Sequence, residues 1–200
     1  MDVVTAINNR RSVKHFDPYH KMTEAEIDNL ISLAMLSPTA FNIQHWRFVV
    51  VRDPDLRAQI RAVSWRQPQI TDASLLIVIC ADLDAWKKDP DRYWRNATQE
   101  TRKGVVEAIS SYYEGREQVQ RDEAMRSCGI AAQTLMLAAK SMGYDSCPMD
   151  LSDFGEIAKF INLPQDHVIA MLLAVGKSIR EPWPRAGQLA MEDVTKLNRF

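Results

Sequence analysis

Arg10-Arg11-Ser12-Val13-Lys14 gathers two guanidiniums, a hydroxyl and an ammonium within one short stretch. A guanidinium presents a planar fork of donors that suits phosphate oxygens, a hydroxyl adds another donor, and lysine supplies a movable point charge. The set fits the phosphate end of a small anionic ligand; taken alone it is equally the composition of a solvated basic patch. A second segment, Ser37-Pro38-Thr39-Ala40-Phe41-Asn42-Ile43-Gln44-His45-Trp46, brings amide, hydroxyl and aromatic groups into one turn. Such a turn can hydrogen-bond a flat heterocycle, or serve as a polar loop in which Trp46 anchors the next strand. His45 could reach a substrate, or sit at the surface or in packing.

Other chemistries find little support. Cys80, Cys128 and Cys147 include no CxxC pair and are odd in number, against a disulfide scaffold or a zinc site; buried small residues are the expected role. His15, His20, His45 and His167 show no i, i+4 pairing, so no metal is expected. None of the seven glycines builds GxGxxG or GxxxxGK[ST], which argues against a Rossmann site or a P-loop. No Ser/His/Asp or paired-carboxylate signature stands out.

The elements that must position these groups can be read from local pattern. Val3, Val4 and Ile7 have helical spacing just before the basic cluster. Thr23 with Glu26 forms a capping box, opening a helix whose apolar face is Ile27, Leu30, Ile31, Ala34 and Met35, with Pro38 ending it. Arg47–Val51 reads as a strand, Asp53-Pro54 as a helix start running to about Ser64, and Leu75–Cys80 as a central strand covered on both faces. Residues 82–123 mix aromatics with charge and read as peripheral helices or a lid. Residues 124–142 form a helix apolar nearly all round, capped by Gly143, for a core or an oligomer seam. Pro148-Met149-Asp150-Leu151 reads as a loop, Asp153 with Glu156 as the start of a short helix, and His167–Val175 as the last buried strand. The tail beyond Gly176 is expected to be extended.

The chain has 200 residues, a net charge of -1 and 46% apolar residues. These values predict one domain spanning 1–200, without the basic field that holds nucleic acid. No apolar run approaches the ~20 residues of a membrane span, and the N-terminus lacks a signal-peptide layout, so a cytoplasmic protein with no membrane partner is expected.

Together the two polar segments resemble the nitroreductase family. Its helix leading to Arg-Arg/His-Ser-x-Arg/Lys-x-Phe is matched by Arg10-Arg11-Ser12-Val13-Lys14-His15-Phe16. Its Pro-Ser-Ser-x-Asn-x-Gln-Pro-Trp is matched by Pro38-Thr39-Ala40-Phe41-Asn42-Ile43-Gln44-His45-Trp46, with Ala40 for Ser and His45 for Pro. Asp72-Ala73-Ser74, Gly129–Gln133, Gly143-Tyr144, Val175-Gly176 and Arg185 continue the likeness along nearly the whole chain, apart from 82–123. The resemblance implies an α+β fold, a mixed central sheet surrounded by helices, and an intertwined homodimer with FMN at the subunit interface. It implies that Arg10, Arg11 and Ser12 hold the FMN phosphate and ribityl chain and that Lys14 approaches the pyrimidine edge. Pro38, Thr39 and Asn42 would touch FMN, part of that loop coming from the other subunit. Gln69 would meet the isoalloxazine edge, and Arg185 or Lys177 would reach the phosphate. The Pro148-Met149-Asp150-Leu151 stretch falls where relatives offer a backbone N–H to flavin N5, and Leu151 stands where some have a more permissive glycine.

The implied activity is a two-step cycle in which NAD(P)H gives hydride to the flavin and leaves before a nitroaromatic, quinone or similar electron-poor acceptor enters. A specialised enal or semialdehyde reductase, or a protein that binds flavin without turnover, would use the same residues. The usual discriminators between NADH and NADPH are missing.

Overall fold

The computed structural model describes residues 1–150 and 153–200. Its elements run α1 (Val3–Asn9), α2 (Glu24–Ala34), β1 (Trp46–Val51), α3 (Pro54–Ala62), α4 (Gln69–Asp72), β2 (Leu75–Asp82), α5 (Gln99–Tyr113), α6 (Glu117–Ser141), β3 (Asp145–Met149), α7 (Phe154–Phe160), β4 (His167–Gly176) and α8 (Met191–Val194). Short 3-10 turns occupy Ala40–Asn42 and Pro90–Trp94.

Local capping opens the helices. The Asp2 carboxylate accepts from the Thr5 N–H at 2.9 Å, and Thr23 and Glu26 form the expected reciprocal box. Asp53 caps α3 with Pro54 behind it, and Asp153 accepts from the Glu156 N–H at 3.0 Å. Each cap is worth about 1 kcal/mol. At the end of α6, Gly143 has φ +78°, while Tyr144 N–H reaches Ala139 O at 2.9 Å and Gly143 N–H reaches Lys140 O at 3.1 Å. This is a Schellman ending, which needs the left-handed conformation glycine adopts freely.

The strands lie in the order β1-β2-β4-β3, and every ladder is antiparallel. The parallel component is one bridge, Ser12 to Ser146, which fastens the segment after α1 to β3. Strand β2 is buried along its whole length. Its alternation sends Leu75, Ile77, Ile79 and Ala81 to a core shared with α2 and α6, and Leu76, Val78 and Cys80 to a core shared with α3 and α7.

Three expectations need correction. Pro148 and Met149 belong to β3, not to a loop. A proline fits there because, apart from the bridge at Ser146, β3 pairs among the described residues with β4 alone and lies at the edge of the sheet. Helix α6 begins at Glu117 rather than near residue 124. It is not apolar all round either: Ala124, Cys128, Ala131, Leu135 and Ala139 face the sheet as a stripe, while Ile130 is exposed.

Within 82–123, α5 packs through Ile109 and Tyr113 on a small cluster with Ile43 and Ala85. An ion-pair network holds this region to the sheet. Asp82, only 2% exposed, receives Arg47 Nη2 and Lys88 Nζ at 2.8 Å each. Lys88 also meets Asp166 at 2.5 Å, and Asp166 meets His167 Nδ1 at 2.6 Å. Asp82, Asp166 and His167 come within ligand distance of one another, and the ammonium of Lys88 contacts both carboxylates. Among the described residues no helix is long and apolar enough to cross a membrane.

Candidate functional site

Helix α1 stops at Asn9 because Arg10 turns to extended backbone, φ -62° and ψ 131°. The extended stretch is then fixed by Val13 N–H donating to Ser146 O at 3.0 Å. Alternation then turns Val13 into the core and leaves Ser12 and Lys14 exposed, while Phe16, also buried, is set by a separate bridge to Ser178. Arg185 returns from the far end of the chain, its Nη2 donating to Ile7 O at 3.1 Å and, more weakly, to Asn8 O and Arg10 O at 3.4 Å. Arg11 Nη1 donates to Asn8 O at 2.7 Å. Both guanidiniums thereby meet carbonyls at the negative end of α1.

These residues line a cavity of about 510 Å³ together with Arg180, Glu181 and Trp183. Its wall carries the cations Arg10, Arg11, Lys14, Arg180 and Arg185 against the carboxylate of Glu181. Burial, followed by the neighbouring charges of Arg185 and Arg11, pushes the Arg10 pKa down. Like charges held together in a concave, partly apolar wall suit a multiply charged oxyanion such as a phosphate ester, and the volume falls within the usual range for small-molecule sites. The residues present therefore fit the phosphate end of FMN.

Behind the cavity, Lys14 Nζ lies 3.7 Å from the sulfur of buried Cys147. Burial raises that thiol's pKa, opposed by Lys14. Gln69 also donates to Cys147 Sγ, at 3.9 Å, and to Gln67 Oε1 at 2.8 Å. Gln69, expected to meet the isoalloxazine edge, is 1% exposed in the single chain. The half-buried amide is Gln67, whose Nε2 makes a long 3.5 Å contact with Asp150 O. The Gln-Pro-Gln pattern presents two candidates, and only packing distinguishes them.

The remaining expected residues divide by place. Lys177 is not brought to the cavity: its ammonium donates to Gly143 O at 2.6 Å and lies 4.0 Å from the Tyr144 ring centre. It satisfies a carbonyl at the end of α6 instead. Met149 is buried and Pro148 half-buried in β3, while Asp150 is exposed just beyond the strand. Leu151 lies outside the described residues. Arg180, His15 and Trp183 also line the cavity, and local pattern does not mark them. An Arg-Glu-Pro-Trp-Pro-Arg run is the available signal, but its place depends on the chain's return past α1.

The Pro38–Trp46 segment lies elsewhere. Thr39 Oγ1 accepts from the Gln44 N–H at 3.0 Å, Asn42 Nδ2 donates to Tyr93 O at 2.9 Å, and Trp94 Nε1 donates to Phe41 O at 2.9 Å. Phe41, Asn42 and Gln44 all have positive φ, at 52°, 57° and 55°. Non-glycine residues held this way cost energy and concentrate at functional sites. Asn42 lines a second cavity, which shares no lining residue with the first.

His45 is wholly buried, which rules out its reaching a substrate or lying at the surface. Ser127 Oγ donates to Glu123 O at 2.8 Å, so it accepts from His45 Nδ1–H at 3.1 Å. Nε2 is then a bare acceptor with no partner among the described residues. Burial lowers the imidazole pKa from 6.5 to about 4, against the opposing pull of Glu123 and Asp82 and with help from Arg47. The unfolded chain therefore takes up this proton first as pH falls, and stability is lost from about pH 6.5 down to about pH 4. The loss from this group should be about 3 kcal/mol. Urea melts from pH 7 to pH 4 should show it. His45→Asn, which retains a donor for Ser127, should lose correspondingly less; equal acid sensitivity would remove His45 as the cause.

A family model described as the nitroreductase family matches residues 7–177. The chain belongs to the nitroreductase family. Protein DrgA of Synechocystis sp. is 55% identical over 177 residues, covering 88% of this chain and 84% of that protein. An oxygen-insensitive NADPH nitroreductase of Helicobacter pylori is 31% identical over 203 residues, covering 96% and 94%. A protein of Exiguobacterium sibiricum, solved in complex with FMN, superposes with a TM-score of 0.92 at 26% identity, covering 98% and 97%. The α+β arrangement of antiparallel sheet and flanking helices is thus the nitroreductase fold.

Proposed function

We propose that this nitroreductase-family chain is an FMN-dependent oxidoreductase that passes reducing equivalents from NAD(P)H to nitroaromatic, quinone or similar electron-poor acceptors. The observation that carries the reading is the cationic cavity in which Arg10, Ser12, Lys14 and Arg185 converge. Support comes from the relatives, one named an NADPH nitroreductase and one solved with FMN.

Arg10 and Arg185 would hold the phosphate, and Ser12 the ribityl chain. Arg11 steadies the end of α1 beside them. FMN, when bound, supplies two-electron chemistry, with negative charge developing at the pyrimidine edge of its ring. Lys14 would answer that charge with its ammonium, which lies 3.7 Å from Cys147 Sγ.

A homodimer belongs to the same reading. Pro38, Thr39 and Asn42 would meet an FMN held by Arg10 of a second copy, a reading supported by Asn42 lining a cavity that shares no residue with the Arg10 cavity. The exposed apolar side chains Val3, Val4 and Ile7 of α1, and Leu189, Leu197 and Phe200 of the tail, form the kind of surface another copy would cover.

The test begins with the purified protein, which should absorb in the visible as a flavoprotein and oxidise NAD(P)H when menadione is added. A colourless protein, unable to take up FMN, would sink the proposal. Lys14→Ala should keep FMN yet lower its midpoint potential. Two unit charges 4 Å apart at an effective dielectric of 20 interact by about 4 kcal/mol. Screening and desolvation leave about 1–2 kcal/mol for an exposed lysine, which for a two-electron couple is about 20–40 mV. An unchanged potential with FMN still bound would remove Lys14 from this role.

A further inference from the structure

Three segments far apart in sequence meet on one sulfur. Lys14, in the extended stretch after α1, brings its ammonium to 3.7 Å from Cys147 Sγ. Gln69, the first residue of α4, brings its amide nitrogen to 3.9 Å from the same atom. The thiol donates in turn to the Pro148 carbonyl at 3.6 Å. Its S–H is therefore spent on β3, which leaves its lone pairs for the two donors. Backbone contacts set up the meeting. Ser12 bridges Ser146, and Val13 N–H reaches Ser146 O at 3.0 Å, so the chain carrying Lys14 runs beside the strand carrying Cys147.

The chemistry of the acceptor matters as much as the contact. Among the described residues no carboxylate pairs with Lys14, and this sulfur is its hydrogen-bond acceptor. Cys147 is wholly buried. Burial raises its pKa over the opposing influence of Lys14, Gln69 and Arg10, so the sulfur stays a neutral thiol at neutral pH. A carboxylate in that position would grip the ammonium harder and cancel its charge. A neutral thiol is a weak acceptor. It orients a long, flexible stem yet leaves the positive charge uncompensated, ready to turn to a stronger anion. The other donor is fixed more firmly. Gln69 Nε2 also donates to Gln67 Oε1 at 2.8 Å, so both N–H groups of that amide are taken.

We propose that Cys147 is a positioning residue for the Arg10 cavity: its thiol holds the Lys14 ammonium and the Gln69 amide together on β3 behind that cavity, with the charge of Lys14 undiminished. Cys147 does not line the cavity and takes no part in electron transfer. Its effect on a flavin rests on the flavin reading above, in which Lys14 answers the negative charge that develops at the pyrimidine edge of FMN. Cys147 then favours the reduced form through Lys14, because an ammonium held at that edge stabilises the charge more than one that swings into solvent.

The experiment is reduction of the purified holoprotein in equilibrium with a dye of known potential, for the wild type, Lys14→Ala, Cys147→Ala, Cys147→Ser and Lys14→Ala/Cys147→Ala. Lys14→Ala should lower the preference for reduced over oxidised FMN about ten-fold and Cys147→Ala about three-fold, midpoint shifts of about 30 and 15 mV. Cys147→Ser keeps an acceptor for the ammonium and should restore most of the loss. In the double variant, Cys147→Ala should add nothing to Lys14→Ala, because the thiol acts through that ammonium. Should Cys147→Ala not fold, Cys147→Val fills the space without an acceptor and should give the same shift. An unchanged potential in Cys147→Ala, or an equal shift with and without Lys14, would overturn the proposal and leave the cysteine as packing alone. Urea melts of the same proteins separate this failure from that of the flavin reading. A colourless protein in which the two substitutions together cost less than their sum would keep the anchoring and remove the flavin. A flavoprotein in which they act independently in both measurements would do the reverse, and a colourless protein with additive melts would remove both.

Discussion

Arg10→Ala combined with Arg185→Ala should release FMN and leave the purified protein colourless, with a dissociation constant raised about 100-fold or more. A hydrogen bond to a charged group is worth about 1.5–3 kcal/mol, so removing both phosphate donors together costs about 3–6 kcal/mol. The pair is chosen on structural grounds. Arg10 is crowded by Arg185 and Arg11, the arrangement expected where a bound anion relieves repulsion. Arg11 donates to the carbonyls of Asn8 and Arg10 at 2.7 and 3.0 Å, closer than the 3.1–3.4 Å contacts Arg185 makes with the same helix end, so Arg11→Ala should act more on the end of α1 than on the ligand. Fluorescence titration of the stripped protein with FMN measures the effect, and circular dichroism checks that the variant is folded. A yellow double variant with unaltered affinity would place the phosphate elsewhere.

Asp82→Ala should be the most destabilising of the single charge deletions, at about 2–4 kcal/mol. Removing one member of a buried ion pair leaves its partners without compensation, typically at a cost of about 3–5 kcal/mol. Here Arg47 and Lys88 are each more than a third exposed, so water recovers part of that cost. For a domain of this size the melting temperature should fall by about 5–15 °C. The damage should also spread to residues 84–97, because Lys88 ties that region to both Asp82 and Asp166. Thermal melts combined with hydrogen exchange would resolve the two effects. A loss below about 0.5 kcal/mol would mean that the network behaves as ordinary surface pairs.

Legibility in the sequence followed the range of the interaction involved. The Thr23–Glu26 box, the Asp53-Pro54 start and the Gly143 ending concern residues within one or two turns, and each appears as expected. The apolar run Leu75–Cys80 marked a strand covered on both faces because burial on both sides leaves no polar position. Strand β3 was hidden because Pro148 reads as a break, and only the sheet order shows that it sits at an edge where a missing N–H is tolerated. Local pattern leaves His45 open between substrate, surface and packing and says nothing of the burial of Gln69; long-range packing buries both.

The same division holds for the candidate site. Sequence alone determined which groups can carry charge, the order of the two polar segments, and the short-range signals that begin and end the helices around them. Tertiary structure decided which of those groups meet. It brings Arg185 onto the carbonyls at the end of α1, takes Lys177 away to Gly143, and sets Lys14 and Gln69 on one buried sulfur. It also separates Asn42 from the Arg10 cavity. The reason is physical: capping and alternation act over a few residues and are written locally. The meeting of distant charges depends on how the faces of β2 are covered, and that is set by the packing of the whole chain.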